Sequence, residues 1–265
     1  MKLRSLYDPG LRKSPMRVAA FMSGTGSNIK MLIKKEKELE KSRGQSPYKV
    51  VFIFSDRSDG KCHGENIACS SGIPYFSYDI RKFHEIRGIK RTALTQEGFA
   101  ARREFDSIPL EIVKAFQIDL IALGGYMSFT TLEGCINVHP ADLSIHSPDG
   151  KRKYTGDNAV YDAILNGEKS LRSSTLWTDM GVDTGPLLMV SRPIEVNLPE
   201  PVENLKKNRE RFLEVVDSHQ ERLKEVGDWE IFPRTIELIA EGRFAFDENN
   251  EVYVNGKHVP EGFRE

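Results

Sequence analysis

Continuous apolar runs alternate with helical stretches through the first half of the chain. Val18-Ala19-Ala20-Phe21-Met22, Val50-Val51-Phe52-Ile53-Phe54 and Leu120-Ile121-Ala122-Leu123 lack the polar positions of a strand with one wet face. Runs of this kind belong to parallel strands covered on both sides. The pattern predicts strands over 17–22, 48–55, 75–78, 119–124 and 135–138, with helices over 28–41, 62–71 and 97–116 between them. That alternation argues for an α/β fold: a doubly wound, mostly parallel sheet with helices on both faces and a Rossmann-like N-terminal half. Further on, a helix is expected over 157–166, strands over 172–178 and 187–196, a helix over 229–241, and a hairpin over 244–254 turning at Asn249-Asn250. Between Pro201 and Asp228, Leu205, Phe212, Val215, Val216 and Leu223 stand among many charges. This reads as one or two amphipathic helices packed on the sheet, with a dimer-forming surface as the alternative.

Three segments at strand ends carry chemistry. Ser23-Gly24-Thr25-Gly26-Ser27-Asn28 follows the first apolar run, and Ile29, Leu32 and Ile33 then open a helical pattern. A strand, a glycine-rich turn and a helix start point backbone N–H groups at an anion. Ser27 and Asn28 are suited both to capping and to donating to phosphate. Position 29 is Ile, so the third glycine of a dinucleotide fingerprint is missing, and no Lys-Ser/Thr completes a P-loop. A phosphomonoester fits better than a dinucleotide; a capped turn without ligand is the plain alternative. Asn137-Val138-His139-Pro140 and Asp183-Thr184-Gly185-Pro186 are the other two segments. A carboxamide, an imidazole and a carboxylate that meet beside a cleft can polarise a carbonyl and carry a proton. Taken singly, His139 also reads as a turn histidine and Asp183 as a loop residue capping Gly185.

Together with Phe54-Ser55-Asp56, Gly124-Gly125-Tyr126-Met127, the stretch 156–167 and the ending Val254-Asn255-Gly256-Lys257, these segments stand in the order of a known family. The chain resembles the folate-dependent formyltransferase family over about 16–262, most closely its purine-synthesis branch. The resemblance implies an enzyme that moves a formyl group from 10-formyl-tetrahydrofolate, a co-substrate, to the primary amine of a phosphorylated acceptor such as glycinamide ribonucleotide. It implies Asn137, His139 and Asp183 as the catalytic set and Gly26, Ser27 and Asn28 as holders of the substrate phosphate. Folate binding would fall to Arg102, with Arg103 as alternative, and to Met127, Ser128, Phe129, Thr130 and Asn137. Residues 1–15 then form an N-terminal extension, 16–125 a phosphate-binding half and 126–265 a catalytic and folate-binding half. Ser128 replaces an Arg of the family pattern, while Asn158 and Leu176 replace histidines. A polar stretch over 146–153, with Lys151, Arg152 and Lys153, is inserted beside the catalytic His-Pro; it reads as a lid supplying cations or as a surface loop. A formyl-tetrahydrofolate hydrolase, a formyltransferase for another amine and a non-catalytic folate- or phosphate-binding relative are the other readings.

Composition narrows the class. With 265 residues and 39% hydrophobic content, the chain can bury a full core as one large or two modest domains. A net charge of −1 lacks the basic footprint of a nucleic-acid binder. Cys62, Cys69 and Cys135 are an odd, widely spaced set, as expected of reduced thiols in a cytoplasmic protein. The histidines show no metal spacing, so no metal is expected; Cys62-His63 with Cys69 is the one cluster worth weighing. No apolar run reaches the ~20 residues of a membrane span, and residues 1–15 hold no apolar stretch for a signal peptide. The expected partners are therefore small molecules, a phosphorylated amine and a reduced folate, with a homodimer left open.

Overall fold

A computed structural model describes residues 2–11 and 14–265. The chain divides into two compact units, one made of residues 7–137 and 239–242, the other of 1–6, 138–238 and 243–265. Of the expected N-terminal extension, residues 1, 12 and 13 lie outside the described residues.

The first unit is the parallel sheet. Its strands are β1 (Met16–Met22), β2 (Tyr48–Ser55), β3 (Tyr75–Ser77), β4 (Leu120–Leu123) and β5 (Cys135–His139). They lie in the order β3-β2-β1-β4-β5 and all pair in parallel. Helices α1 (Ser27–Arg43), α2 (Gly64–Ser71), α3 (Ile80–Arg87) and α4 (Gln96–Ala115) make the crossovers. Side chains alternate along a strand. Phe21, Phe52 and Phe54 therefore share one face, where they pack with Phe83 of α3 and Phe105 of α4. The opposite face meets α1, and here Gly124 leaves room for the Ile29 side chain, whose Cδ1 lies 2.3 Å from where a Cβ would stand. Strand order reverses between β1 and β4, the switch point at which sheets of this type bind ligands.

Helix α3 was not expected. Its signals are short but present: the Asp79 carboxylate accepts from the backbone N–H groups of Arg81 and Lys82, and Gly88 ends the helix in the left-handed region. Pro109 sits inside α4 without ending it.

The chain passes into the second unit within β5, between Asn137 and Val138. There α5 (Ala159–Leu165) leads to the antiparallel pair β6 (Ser174–Trp177) and β7 (Leu187–Val190). The expected strand 187–196 is broken: Pro193 has no amide hydrogen to donate, and Ile194–Glu195 pairs instead with Ser170–Leu171. Of the charged segment, Val202–Leu205 forms one turn and α6 (Arg209–Leu223) a full helix, with Leu205, Phe212, Val216 and Leu223 buried against Tyr154 and Ile164. A π turn, Lys224–Asp228, then joins α6 to α7 (Trp229–Ala240). The terminal hairpin pairs β8 (Phe244–Phe246) with β9 (Val252–Val254) and gains Arg4–Ser5 and Lys257–His258 as neighbours that the sequence pattern did not announce.

Candidate active site

The turn after β1 leads directly into α1, which begins with Gly26 at φ +69° and no side-chain cap. A Cβ at Gly26 would stand 2.4 Å from Met22 Cε and 2.6 Å from Ile67 Cδ1. Glycine therefore serves both the backbone angle and the space. Ser27 is half-buried and Asn28 is buried. The turn is tied to the end of β4: Ser23 N–H donates to the Gly125 carbonyl at 3.0 Å, and Ser23 Oγ accepts from Met127 N–H at 2.9 Å. The candidate phosphate turn and the first residue of the candidate folate segment thus share the switch point.

Within that segment the residues separate. Met127 is 69% exposed. The Ser128 hydroxyl donates to the buried Asp56 carboxylate, and Phe129 lies 6.2 Å from the Phe99 ring. Thr130 is turned inward, its hydroxyl reaching Asp106 at 3.2 Å. Arg102 lies inside the protein rather than on a solvated face: its guanidinium donates to Asp106 at 3.0 and 2.7 Å and to the Tyr126 hydroxyl at 3.0 Å, with 4% of the residue exposed, while Nη1 is buried without a hydrogen-bond partner. The physical reason is Asp106, one turn along α4 on the same face, which draws the guanidinium into the protein. Arg103 is exposed.

The second unit brings His139 and Asp183 together. His139 Nδ1 lies 3.4 Å from Asp183 Oδ2, and its Nε2 lies 3.0 Å from the Tyr154 carbonyl. Both ring nitrogens thus face oxygen acceptors, a carboxylate on one side and a carbonyl on the other. The ring is buried at 5% exposure. Asn137, half-buried, precedes His139 by one pleat repeat on β5 and is paired in register with Leu123 of β4. Residues two apart on a strand point to one side of it.

Asp183 is held at both ends. Its Oδ2 accepts from Gly156 N–H at 2.8 Å, while Arg152 Nη1 donates to its carbonyl. Its backbone is left-handed, φ +53°, which an Asp tolerates better than most residues. The loop around it is closely fitted. Asp179 accepts from Gly181 N–H and from the Thr184 hydroxyl, and a Cβ at Gly185 would stand 1.9 Å from the Trp177 carbonyl oxygen. Tyr154, Gly156 and Arg152 were not recognised from the sequence as partners of the pair. Their signal was only the Gly-Lys-Arg-Lys-Tyr run, whose alternation becomes legible once the insertion is seen as a hairpin. Burial pushes the Arg152 guanidinium below its ordinary range, against the opposing pull of Asp183 and Asp179.

The remaining departures fall on packing. Leu176 is buried with Leu143, Leu187 and Val190, and Asn158 is exposed at the start of α5. Among the described residues there is no cluster of histidine, cysteine and acidic side chains able to hold a metal, and no helix is long and apolar enough to cross a membrane.

A parallel α/β sheet with a glycine turn at its switch point is thus followed by a histidine–carboxylate pair. The chain belongs to the formyl transferase family, whose model matches residues 16–215. It is similar to phosphoribosylglycinamide formyltransferase of Haemophilus influenzae, 23% identical over 245 residues that span 92% of this chain and 96% of that protein. It is also 26% identical over 234 residues to the trifunctional purine biosynthetic protein adenosine-3 of Drosophila melanogaster, where the match spans 85% of this chain and only 14% of that protein. In fold it is similar to the phosphoribosylglycinamide formyltransferase of Coxiella burnetii, with a TM-score of 0.64 at 23% identity over 95% of this chain and 99% of that one. The formyltetrahydrofolate deformylase of Burkholderia mallei shares the fold as well, with a TM-score of 0.60 at 16% identity, over 91% of this chain and 70% of that one.

Proposed function

We propose that this chain transfers the formyl group of 10-formyl-tetrahydrofolate to the primary amine of glycinamide ribonucleotide, a cytoplasmic step of purine synthesis. The observation that carries the reading is the His139–Asp183 pair at 3.4 Å, with the carboxylate anchored by Gly156 N–H. Gly26, Ser27 and Asn28 hold the acceptor's phosphate at the start of α1. The backbone of 127–130 meets the pterin, and of the two candidate arginines the exposed Arg103, rather than the inward-facing Arg102, takes the folate-side role.

The amine nitrogen attacks the formyl carbon, and the bond from that carbon to the folate nitrogen breaks. Negative charge collects on the formyl oxygen in between. Asn137 donates to that oxygen, and His139, when protonated, supplies positive charge beside it. Asp183 accepts the proton leaving the amine and returns it towards the folate nitrogen. Loss of one such donor costs on the order of 10²–10³ in rate. No covalent intermediate forms, so Cys62, Cys69 and Cys135 have no part in the chemistry.

The test is tetrahydrofolate release from 10-formyl-tetrahydrofolate, with and without glycinamide ribonucleotide. Release that requires the amine is expected, together with its loss in His139→Ala and Asp183→Ala variants whose circular dichroism is unchanged. Release without the amine would reassign the chain to hydrolysis. Absence of release under both conditions, or wild-type turnover in either variant, would overturn the proposal.

A further inference from the structure

The segment inserted after the His-Pro turn is a short hairpin. Lys153 N–H donates to the Ile145 carbonyl at 2.9 Å and Ser147 N–H to the Lys151 carbonyl at 2.8 Å, with His146 bridged to Arg152 and Gly150 at φ +79° near the tip. Pairing of this kind fixes the alternation of side chains. Lys151 is directed to solvent, its side chain 84% exposed, and Lys153 lies along the surface against Glu168 at 3.2 Å. Arg152, between them, turns inward and is half-buried. Its Nη1 donates to the main-chain carbonyl of Asp183, the residue whose carboxylate faces His139.

We infer that Arg152 is a positioning residue: the inserted hairpin clamps the backbone of Asp183 so that its carboxylate stays between the Gly156 amide and His139 Nδ1. This rests on the formyl-transfer reading of the same site. The geometry has a specific logic. Asp183 adopts a left-handed backbone that its own chain disfavours, and its carboxylate has two partners, Gly156 N–H and the imidazole. A side chain that rotates about a mobile backbone would exchange those partners for water. Fixing the carbonyl from the far side removes that freedom with a charge-assisted hydrogen bond. Arg152 has no need to touch substrate for this. The insertion is then neither a cation-bearing lid nor an idle surface loop, because its one inward cation is directed at the acid and the other two are not.

The test uses the full chain with 10-formyl-tetrahydrofolate and glycinamide ribonucleotide. Arg152→Ala is expected to lower kcat by roughly 10- to 100-fold, the kinetic counterpart of one charge-assisted hydrogen bond, with KM for both substrates within about twofold. Arg152→Lys, which keeps a donor but loses the planar fork, should recover part of the loss. In an Asp183→Asn background, Arg152→Ala should cost nothing further, because both changes act through one group. Independently of turnover, hydrogen exchange at the Gly156 amide should quicken in Arg152→Ala as the carboxylate it donates to loosens. If the alanine variant fails to fold, Arg152→Gln carries the same measurements. An unchanged kcat, a loss confined to KM, a further full loss in the Asp183→Asn background or an unaltered Gly156 exchange rate would each overturn the inference. Full activity of Asp183→Asn by itself would instead refute the formyl-transfer mechanism on which it rests.

Discussion

Asp106 offers a sharp test of the reading that Arg102 is internal scaffold. The carboxylate is 2% exposed and accepts from Arg102 at 3.0 and 2.7 Å, from Thr131 N–H at 2.7 Å, from the Thr131 hydroxyl at 2.9 Å and from the Thr130 hydroxyl at 3.2 Å. Replacing it with Ala strands a buried guanidinium whose other recorded donation in the structure is to the Tyr126 hydroxyl. Breaking a buried ion pair from one side typically costs about 3–5 kcal/mol. The opposite cut differs. Arg102→Met removes both donations to Asp106 but leaves a carboxylate that keeps its threonine and amide donors and fills the guanidinium's volume with an apolar chain, so a smaller loss of about 2–3 kcal/mol is expected. Urea unfolding followed by tryptophan fluorescence gives both values at constant m. Asp106→Ala should therefore be the more destabilising change, and Arg102→Met should leave KM for the folate within about twofold. The reasoning fails if the two costs are equal or reversed, if Asp106→Ala costs under about 1 kcal/mol, or if Arg102→Met raises the folate KM tenfold.

Three further outcomes follow from single sites. Gly185→Ala places a methyl 1.9 Å from the Trp177 carbonyl oxygen, so the loop bearing Asp183 must shift; a loss of about 1–3 kcal/mol in urea unfolding is expected, with activity falling further than stability. Gly26→Ala forces a left-handed alanine against Met22 and Ile67 and should cost about 1–2 kcal/mol from the backbone alone while weakening glycinamide ribonucleotide binding measured by calorimetry. Glu36 is buried in α1 and its carboxyl is raised above the ordinary value, chiefly by burial, although it accepts from Val50 N–H at 2.8 Å. The folded state therefore holds this proton longer than the unfolded chain does, and stability should fall as pH rises from the unfolded value through the raised folded one. Glu36→Gln, which retains an acceptor for Val50, should flatten that limb of a urea-midpoint profile taken from pH 4.5 upward; an unchanged slope would refute the assignment.

The parallel sheet was legible because its strands are buried on both faces and therefore written as unbroken apolar runs: Val18 to Met22 and Val50 to Phe54 leave no other reading. The glycine turn before α1 was legible for a related reason, since a glycine confined by Met22 and Ile67 at φ +69° leaves a trace in any sequence that builds it. Helix α3 was hidden by its length, eight residues with a cap at each end and little periodicity to detect. Pro193 broke a strand that hydrophobicity alone would have continued to 196. The orientation of Arg102 could not be read, because the same spacing to Asp106 suits a solvated pair and a buried one, and Tyr126 and the two threonines that decide between them are contributed from elsewhere in the chain.

The departures from the family pattern bear on whether the chain has kept its chemistry. Two of them are absorbed by local partners. Ser128 donates to Asp56 at the end of β2, and Leu176 completes an apolar cluster with Leu143, Leu187 and Val190. Asn158 faces solvent at a helix start. None of these changes falls on Asn137, His139 or Asp183, the residues the proposed reading places at the chemistry. On the proposed reading, the left-handed aspartate held by its carbonyl, with its carboxylate on a backbone amide and against an imidazole, is the geometry that proton transfer would use, and the His139 and Asp183 variants separate it from a binding module.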